Sequence, residues 1–175
     1  MIEIINKNIE TKEVENQKIT YTSVDGYIFD TKEDCIKYEL ALATVLYKYY
    51  DEKLVKQKSN EYDLFGSIVG DEECNVDLVS IKTEEDKSKL LSLIEIWYRQ
   101  QFNKDTAYNR IENATKKIDK AYETGEYLFI RRGYGYCGRD NADICEVFGN
   151  NDCFYVYDTC DDIVDKISSI LLKKY

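Results

Sequence analysis

Carboxylates are the side chains whose distribution most suggests a function in this sequence. Nine acids and one base lie between Glu61 and Asp86, and eight acids and no base lie between Asp140 and Asp165. These two acidic windows more than account for the formal net charge of −10, and the charges elsewhere nearly cancel. Segregated negative charge favours a surface that is complementary to a basic protein groove, with carboxylates in the place of nucleic-acid phosphates.

The predicted partner-binding residues are acids of these two windows. They are Glu61, Asp63, Asp71, Glu72, Glu73, Asp77, Asp140, Asp143, Glu146, Asp152, Asp158, Asp161 and Asp162. Direct binding of DNA through these residues is disfavoured, because the dominant electrostatic term would be repulsive. The alternative explanation is a solvated surface that keeps the protein soluble.

Metal chemistry has weaker support from the same acids. A calcium loop needs alternating oxygen ligands, a glycine at its sixth position and a terminal Glu, and neither window supplies that register. A metal-dependent nuclease needs carboxylates at strand ends, often with a nearby lysine, and Asp77 with Lys82 is only a thin match. The nuclease is therefore the least favoured of the functions considered.

Histidine is absent from the chain, which has six cysteines. The absence removes the commonest general base and zinc ligand, so we predict a protein that is not an enzyme. Four cysteines, Cys137, Cys145, Cys153 and Cys160, are separated by 8, 8 and 7 positions. This spacing lacks the close pairs of a zinc site and favours small apolar residues, so no metal or cofactor is predicted.

The stretch RRGYGYCGRDN, which starts at Arg131, contains a glycine-rich G-x-G-x-x-G pattern. A dinucleotide-binding loop of this kind must open a helix, but the next apolar run, DICEVF, is typical of a strand. The alternative function is binding of a nucleotide signal, in which a loop over 131–139 contacts the anion and stacks on the base. Its predicted ligand-binding residues are Arg131, Arg132, Tyr134, Tyr136 and Arg139.

A repeated junction predicts the elements that position these residues. An apolar strand runs into a threonine, and an aspartate follows three residues later, at Thr31 and Asp34, at Thr83 and Asp86, and at Thr159 and Asp162. This spacing is close to that of a capping box, in which the threonine hydroxyl accepts a free backbone N–H. We therefore expect three strand-to-helix junctions.

The first helix is expected over 32–58. Its apolar stripe, at spacings of four and three, consists of Ile36, Leu40, Ala43, Tyr47, Tyr50 and Leu54. The stripe suits packing on another helix, either within the chain or in a homodimer. A hairpin that turns at Asp25 and Gly26 is expected before this helix.

Further elements are predicted along the rest of the chain. A strand at 76–81 leads into a helix with Leu90, Leu93, Ile94, Trp97 and Tyr98, and a second helix presents Tyr108, Ile111, Thr115, Ile118 and Tyr122 until Gly125 stops it. The final third is predicted to contain a strand at 127–131, a hairpin of 144–148 with 154–157, and a last helix. The predicted order is therefore ββαβααβββα, and MIEII is a possible extra strand.

The predicted fold class is α+β, with a mostly antiparallel sheet and four helices. The length of 175 residues suits one domain, with possible sub-lobes 1–58 and 76–175. The start MIEIINKNIE has neither a basic region nor an uninterrupted apolar run, so a cytoplasmic location is expected, with reduced cysteines.

The stretch from Asp25 to Glu39 has the pattern D-G-x-x-F-D-T-x-x-x-C-x-x-Y-E. It resembles a short hairpin-plus-helix module of small accessory proteins from bacteriophages and prophages of Gram-positive bacteria. The usage of Lys, Asn, Ile, Glu, Asp and Tyr also resembles that of an AT-rich genome. The resemblance implies a setting: many such acidic proteins counter host defences, including anti-CRISPR proteins that occupy nucleic-acid grooves of effector nucleases. It implies no catalytic residue.

The first prediction concerns Thr31. If the opening motif serves the fold, Thr31→Ala removes a helix N-cap and lowers the free energy of unfolding by about 1 kcal/mol. Urea unfolding of the two proteins measures this difference. If Thr31→Ala lost the protein's activity while its free energy of unfolding stayed unchanged, that result would contradict the structural interpretation.

Overall fold

A computed structural model describes residues 2–4, 19–59, 74–134 and 152–159, with side chains described within 19–58 and 76–130. The described chain contains three α-helices and two antiparallel sheets. The helices are α1 (Lys32–Tyr49), α2 (Glu84–Gln101) and α3 (Lys104–Thr124). The strands are β1 (Ile2–Ile4), β2 (Thr20–Thr22), β3 (Ile28–Phe29), β4 (Val55–Ser59), β5 (Cys74–Val79), β6 (Leu128–Tyr134) and β7 (Asp152–Thr159).

The predicted α+β class and antiparallel pairing are confirmed, but the number and order of the elements differ. One sheet has the order β1-β2-β3 and the other β4-β5-β6-β7. The described order is βββαββααββ, which includes the extra strand at MIEII. The predicted strand at 144–148 and the final helix lie outside the described residues. None of the described helices is long and apolar enough to cross a membrane.

Two of the three predicted junctions are confirmed. Thr31 and Thr83 precede α1 and α2, and each hydroxyl accepts the backbone N–H of the aspartate three residues later at 3.1 Å. At Thr83 the box is reciprocal, because the Asp86 carboxylate accepts the Thr83 N–H at 3.0 Å. Thr159 ends β7, and the residues after it lie outside the described part of the chain.

The predicted end of the first helix is wrong. α1 ends at Tyr49, a π-helical turn spans Tyr50–Leu54, and strand β4 follows where a helix to residue 58 was expected. The wide turn buries both Tyr50 and Leu54 in the core. β4 then pairs antiparallel with β5, so hydrogen bonding to a neighbouring strand overrides local helix propensity.

The core is built around α2, which contacts both α1 and α3. Its buried residues are Leu90, Leu93, Ile94, Ile96, Trp97 and Tyr98. At 3.6 residues per turn, these positions cover an arc of about 200°. The predicted stripe of the first helix lines the same core through Ala43 of α1 and through Tyr50 and Leu54 of the π-helical turn, with Leu40 and Tyr47 packed at its edge. These five residues are therefore used within the chain, and a homodimer stays a prediction.

The buried face of helix α3 is rotated from the predicted one and overlaps it. Ile118 is buried as predicted, and Ile111 and Tyr122 pack at the edge of the core, but Tyr108 is 68% exposed. The other buried positions are Ala107, Ala114 and Ala121. Small alanines face the core because they allow close packing between helices. The predicted stop is confirmed, since Gly125 adopts a left-handed φ of 72°, which favours glycine.

Asp86 connects the first two helices and generates the second prediction. Its carboxylate accepts the Tyr49 hydroxyl at 2.6 Å and the backbone N–H of Lys82 at 3.0 Å, in addition to the Thr83 N–H. Burial opposes ionisation, but these hydrogen bonds outweigh it and lower the pKa of Asp86. We expect Asp86→Ala to lower the free energy of unfolding by about 1–2 kcal/mol at pH 7.

The pH dependence follows from the lowered pKa. The contribution of Asp86 is complete above its unfolded-state pKa of about 3.9, and it is lost as the pH falls through the folded-state value. The cost of Asp86→Ala should therefore shrink in acid, as measured by urea unfolding at several pH values. Glu84→Ala, at an exposed position in the same turn, is the matched control. Equal costs for both variants would contradict the assignment.

Candidate partner-binding end of the four-stranded sheet

The two acidic windows, far apart in sequence, meet in the four-stranded sheet. β5 belongs to the first window and β7 to the second, and both pair with β6. Asp77 of β5 lies opposite Ile130 of β6, and Asp152 of β7 lies opposite Tyr134. Only one strand, β6, therefore lies between the strand of the first window and the strand of the second.

The strand register also places side by side the four strand ends that flank two acidic connections. Ser59 ends β4 opposite Val76, and Cys74 starts β5 opposite Gly133. Tyr134 ends β6 opposite Asp152, where β7 starts. Since neighbouring strands lie about 4.8 Å apart, these four ends fall along a line of about 15 Å at one end of the sheet. We call it the acidic sheet end.

The connections that join at the acidic sheet end are the segments 60–73 and 135–151. Together they contain eight acids and one base. The acids are Glu61, Asp63, Asp71, Glu72, Glu73, Asp140, Asp143 and Glu146, all of them predicted partner-binding residues. These eight lie outside the described residues, as do Asp161 and Asp162. Antiparallel pairing nevertheless requires both acidic connections to depart from the same end of the sheet.

The predicted acids within strands fall in different places. Asp152 starts β7 at the acidic sheet end, whereas Asp158 lies next to Thr159, which pairs with Leu128 at the opposite end. The prediction that Asp77 binds a partner does not fit the structure, because its side chain is fully buried. It lies on the sheet face that carries Val79 and Ile130 toward the core.

Tyr50 is the residue that explains the burial of Asp77. The Tyr50 hydroxyl, at the start of the π-helical turn, donates to Asp77 Oδ2 at 2.6 Å. A buried carboxylate needs such donors, because its desolvation is otherwise unfavourable. The apolar stripe of the first helix predicted that Tyr50 lies in the core. It did not indicate the hydrogen bond to Asp77, which is 27 positions away in the sequence.

The predicted loop over 131–139 is partly a strand. Arg131, Arg132, Gly133 and Tyr134 belong to β6, with Arg131 opposite both Val76 and Tyr155. Tyr136 and Arg139 lie outside the described residues. Residues 131–134 are therefore strand rather than part of the loop that was expected to bind a nucleotide signal. Binding of a nucleotide signal stays a prediction with no specific geometric support.

The motif from Asp25 to Glu39 is explained by contacts that serve folding. The Asp25 carboxylate accepts the Ser23 hydroxyl and the Tyr38 hydroxyl, each at 2.6 Å. Gly26 has a φ of 91° in the turn, and the rings of Phe29 and Tyr38 lie 5.3 Å apart. The hydrogen bond to Asp25 raises the pKa of Tyr38 to about 12, so this phenol stays protonated at neutral pH.

Metal ligands are not gathered in the described part of the chain. Within the ranges whose side chains are described, no group of three or more His, Cys, Asp or Glu residues could hold a metal ion. Cys153 lies in β7 opposite Gly133, while Cys137, Cys145 and Cys160 lie outside the described residues. Cys35 is fully buried, and its burial raises the pKa of the thiol. A protonated, inaccessible thiol is a poor nucleophile.

Comparisons with known proteins add no relatives: no protein-family model, curated protein or solved structure matches this chain.

The buried pair of Tyr50 and Asp77 generates the third prediction. Tyr50→Phe removes the hydroxyl donor but keeps the ring, so the Asp77 carboxylate loses a hydrogen bond inside the core. We expect the free energy of unfolding to fall by about 1–3 kcal/mol. Tyr108→Phe removes the same hydroxyl from a side chain that is 68% exposed and is the matched control. Urea unfolding should separate the two variants, and equal effects would contradict the role of the pair.

Proposed function

We propose that this protein is a non-enzymatic, phage-encoded inhibitor of a bacterial defence system. It binds a basic, nucleic-acid-binding surface of a host effector protein through its acidic sheet end. The effector would ordinarily hold phosphates on that surface, and the carboxylates of segments 60–73 and 135–151 would take their place. Binding would therefore compete with the nucleic acid rather than alter it.

The observation that carries this proposal is the strand register at the acidic sheet end. It gives the two acidic connections a common origin within about 15 Å, where a single basic groove is able to contact both. Carboxylates grouped in this way steer association with a positive surface and add specificity. Asp152, at the same sheet end, belongs to this surface, whereas the buried Asp77 does not.

The absence of an enzymatic role is proposed from the residue types. The chain has no histidine, and the one cysteine with a described side chain, Cys35, is fully buried. The hydroxyl of Tyr38 is held by Asp25 and that of Tyr50 by Asp77, and both contacts serve packing. Inhibition by occupying a groove needs none of these groups.

The fourth prediction tests the acidic sheet end by charge neutralisation. The test variant carries Glu61→Gln, Asp63→Asn, Asp71→Asn, Glu72→Gln and Glu73→Gln. Wild type and variant are immobilised and used to capture proteins from a bacterial lysate. We expect wild type to retain a basic nucleic-acid-binding protein that added duplex DNA or RNA elutes, and the variant to lose at least tenfold of this capture, because the steering charges are gone.

A matched control separates position from net charge. It removes five exposed acids from the helices and the π-helical turn: Glu33→Gln, Glu52→Gln, Asp105→Asn, Glu112→Gln and Glu123→Gln. This control should capture the partner nearly as well as wild type. Equal losses in both variants would reduce the effect to net charge, and unchanged capture by the test variant would refute the proposal. Circular dichroism of both variants checks that they are folded.

A further inference from the structure

Glu39 is a charged residue at the centre of a packed junction. It lies on α1 one turn after Cys35, and both side chains have no exposed surface. Three elements meet there: α1 itself, the C-terminal part of α2 and the turn 23–27 that joins β2 to β3. Lys, Arg, Asp and Glu are almost never fully buried unless they are paired.

The hydrogen bonds of Glu39 are incomplete. Gln100 of α2 donates its side-chain N–H to Glu39 Oε2 at 3.2 Å. The other oxygen, Oε1, is buried and has no hydrogen-bond partner among the described residues. An ionised carboxylate accepts at both oxygens, so this environment suits the protonated form better.

Two positive charges act on Glu39. The N-terminal amino group lowers the pKa of its carboxyl, and so does Arg99 of α2, whose guanidinium is ion-paired with Glu95, one turn earlier on the same helix. Arg99 is therefore shared between two carboxylates. The acid of the turn is Asp25, which accepts hydrogen bonds from Ser23 and Tyr38, and the buried titratable group beside Glu39 on α1 is the Cys35 thiol.

These surroundings shift the titration of Glu39. Burial raises the pKa of its carboxyl, although the charges of the N-terminal amino group and Arg99 and the hydrogen bonds from Gln100 and the backbone of Val24 act in the opposite direction. Burial, together with the negative charge of ionised Glu39, raises the pKa of the Cys35 thiol. The direction agrees with the geometry, since a proton on Glu39 would leave Arg99 and Glu95 as a balanced pair.

We propose that Glu39 is a proton-responsive junction between α1, α2 and the turn 23–27. With a proton, Glu39 is a neutral buried group, and the three elements pack tightly. Without the proton, an incompletely paired charge lies inside the junction and loosens the docking of the turn and of the end of α2. Glu39 does not belong to the acidic sheet end, so this proposal is tested independently of the proposed function.

The sign of the pH effect follows from the raised pKa. The folded chain holds the Glu39 proton more tightly than the unfolded chain, whose Glu titrates near about 4.3. The stabilising contribution is therefore complete below that pH and is lost as the pH rises through the folded-state pKa. This trend is opposite to that of Asp86, whose lowered pKa makes it stabilising above its unfolded value.

The fifth prediction compares full-length wild type with Glu39→Gln in urea between pH 4 and pH 8. The substitution keeps shape and removes the charge. Relative to Glu39→Gln, the folded-to-unfolded ratio of wild type should fall tenfold for each unit by which the folded pKa exceeds the unfolded one. Hydrogen exchange of residues 23–27, corrected for intrinsic rates, should rise with pH in wild type and not in the variant.

Glu33→Gln, at an exposed position on the same helix, is the control and should leave the pH trend unchanged. A pH-independent difference between wild type and Glu39→Gln would overturn the proposal. If that variant does not fold, NMR titration of the Glu39 carboxyl carbon in wild type decides the matter. A midpoint above about 4.3 supports the proposal, and a midpoint at or below it overturns the proposal.

Discussion

The rest of the structure depends on covering helix α2. Its buried side chains, Trp97 among them, span more than half of its circumference, so a single neighbour does not suffice. Helices α1 and α3 flank α2, and the face of β5 and β6 that carries Val79, Leu128 and Ile130 completes the same core. Each fully buried large apolar side chain contributes about 1.5–3 kcal/mol, which makes this arrangement the main stabilising term of the described fold.

Polar groups inside such a core must find partners on the elements that bury them. Asp77 finds one in Tyr50, which the π-helical turn carries to the sheet. Glu39 accepts one side-chain hydrogen bond from Gln100, its other oxygen has no hydrogen-bond partner among the described residues, and Arg99 is ion-paired with Glu95. The two carboxylates are equally buried but differ in their hydrogen bonding. For this reason the proton-responsive role is proposed for Glu39, whereas the contact with Tyr50 accounts for the burial of Asp77.

The acidic sheet end shows how topology gives meaning to a charge pattern. Two windows of carboxylates that are far apart in the sequence become neighbours because antiparallel strands turn at shared ends. The sequence alone established that the charge was segregated, and it named the acids. It could not establish that segments 60–73 and 135–151 leave the sheet side by side, since that requires the pairing of β5 and β7 with β6.

Local signals in the sequence determined the starts of α1 and α2, the turn at Gly26, the stop at Gly125 and the α+β class. Each depends on interactions within a few residues or on regular apolar spacing, which the sequence displays directly. The tertiary structure alone decided the early end of α1, the strand identity of Arg131 and Arg132, and the burial of Asp77 and Glu39. These depend on contacts between residues distant in sequence, where strand pairing and desolvation outweigh local preference.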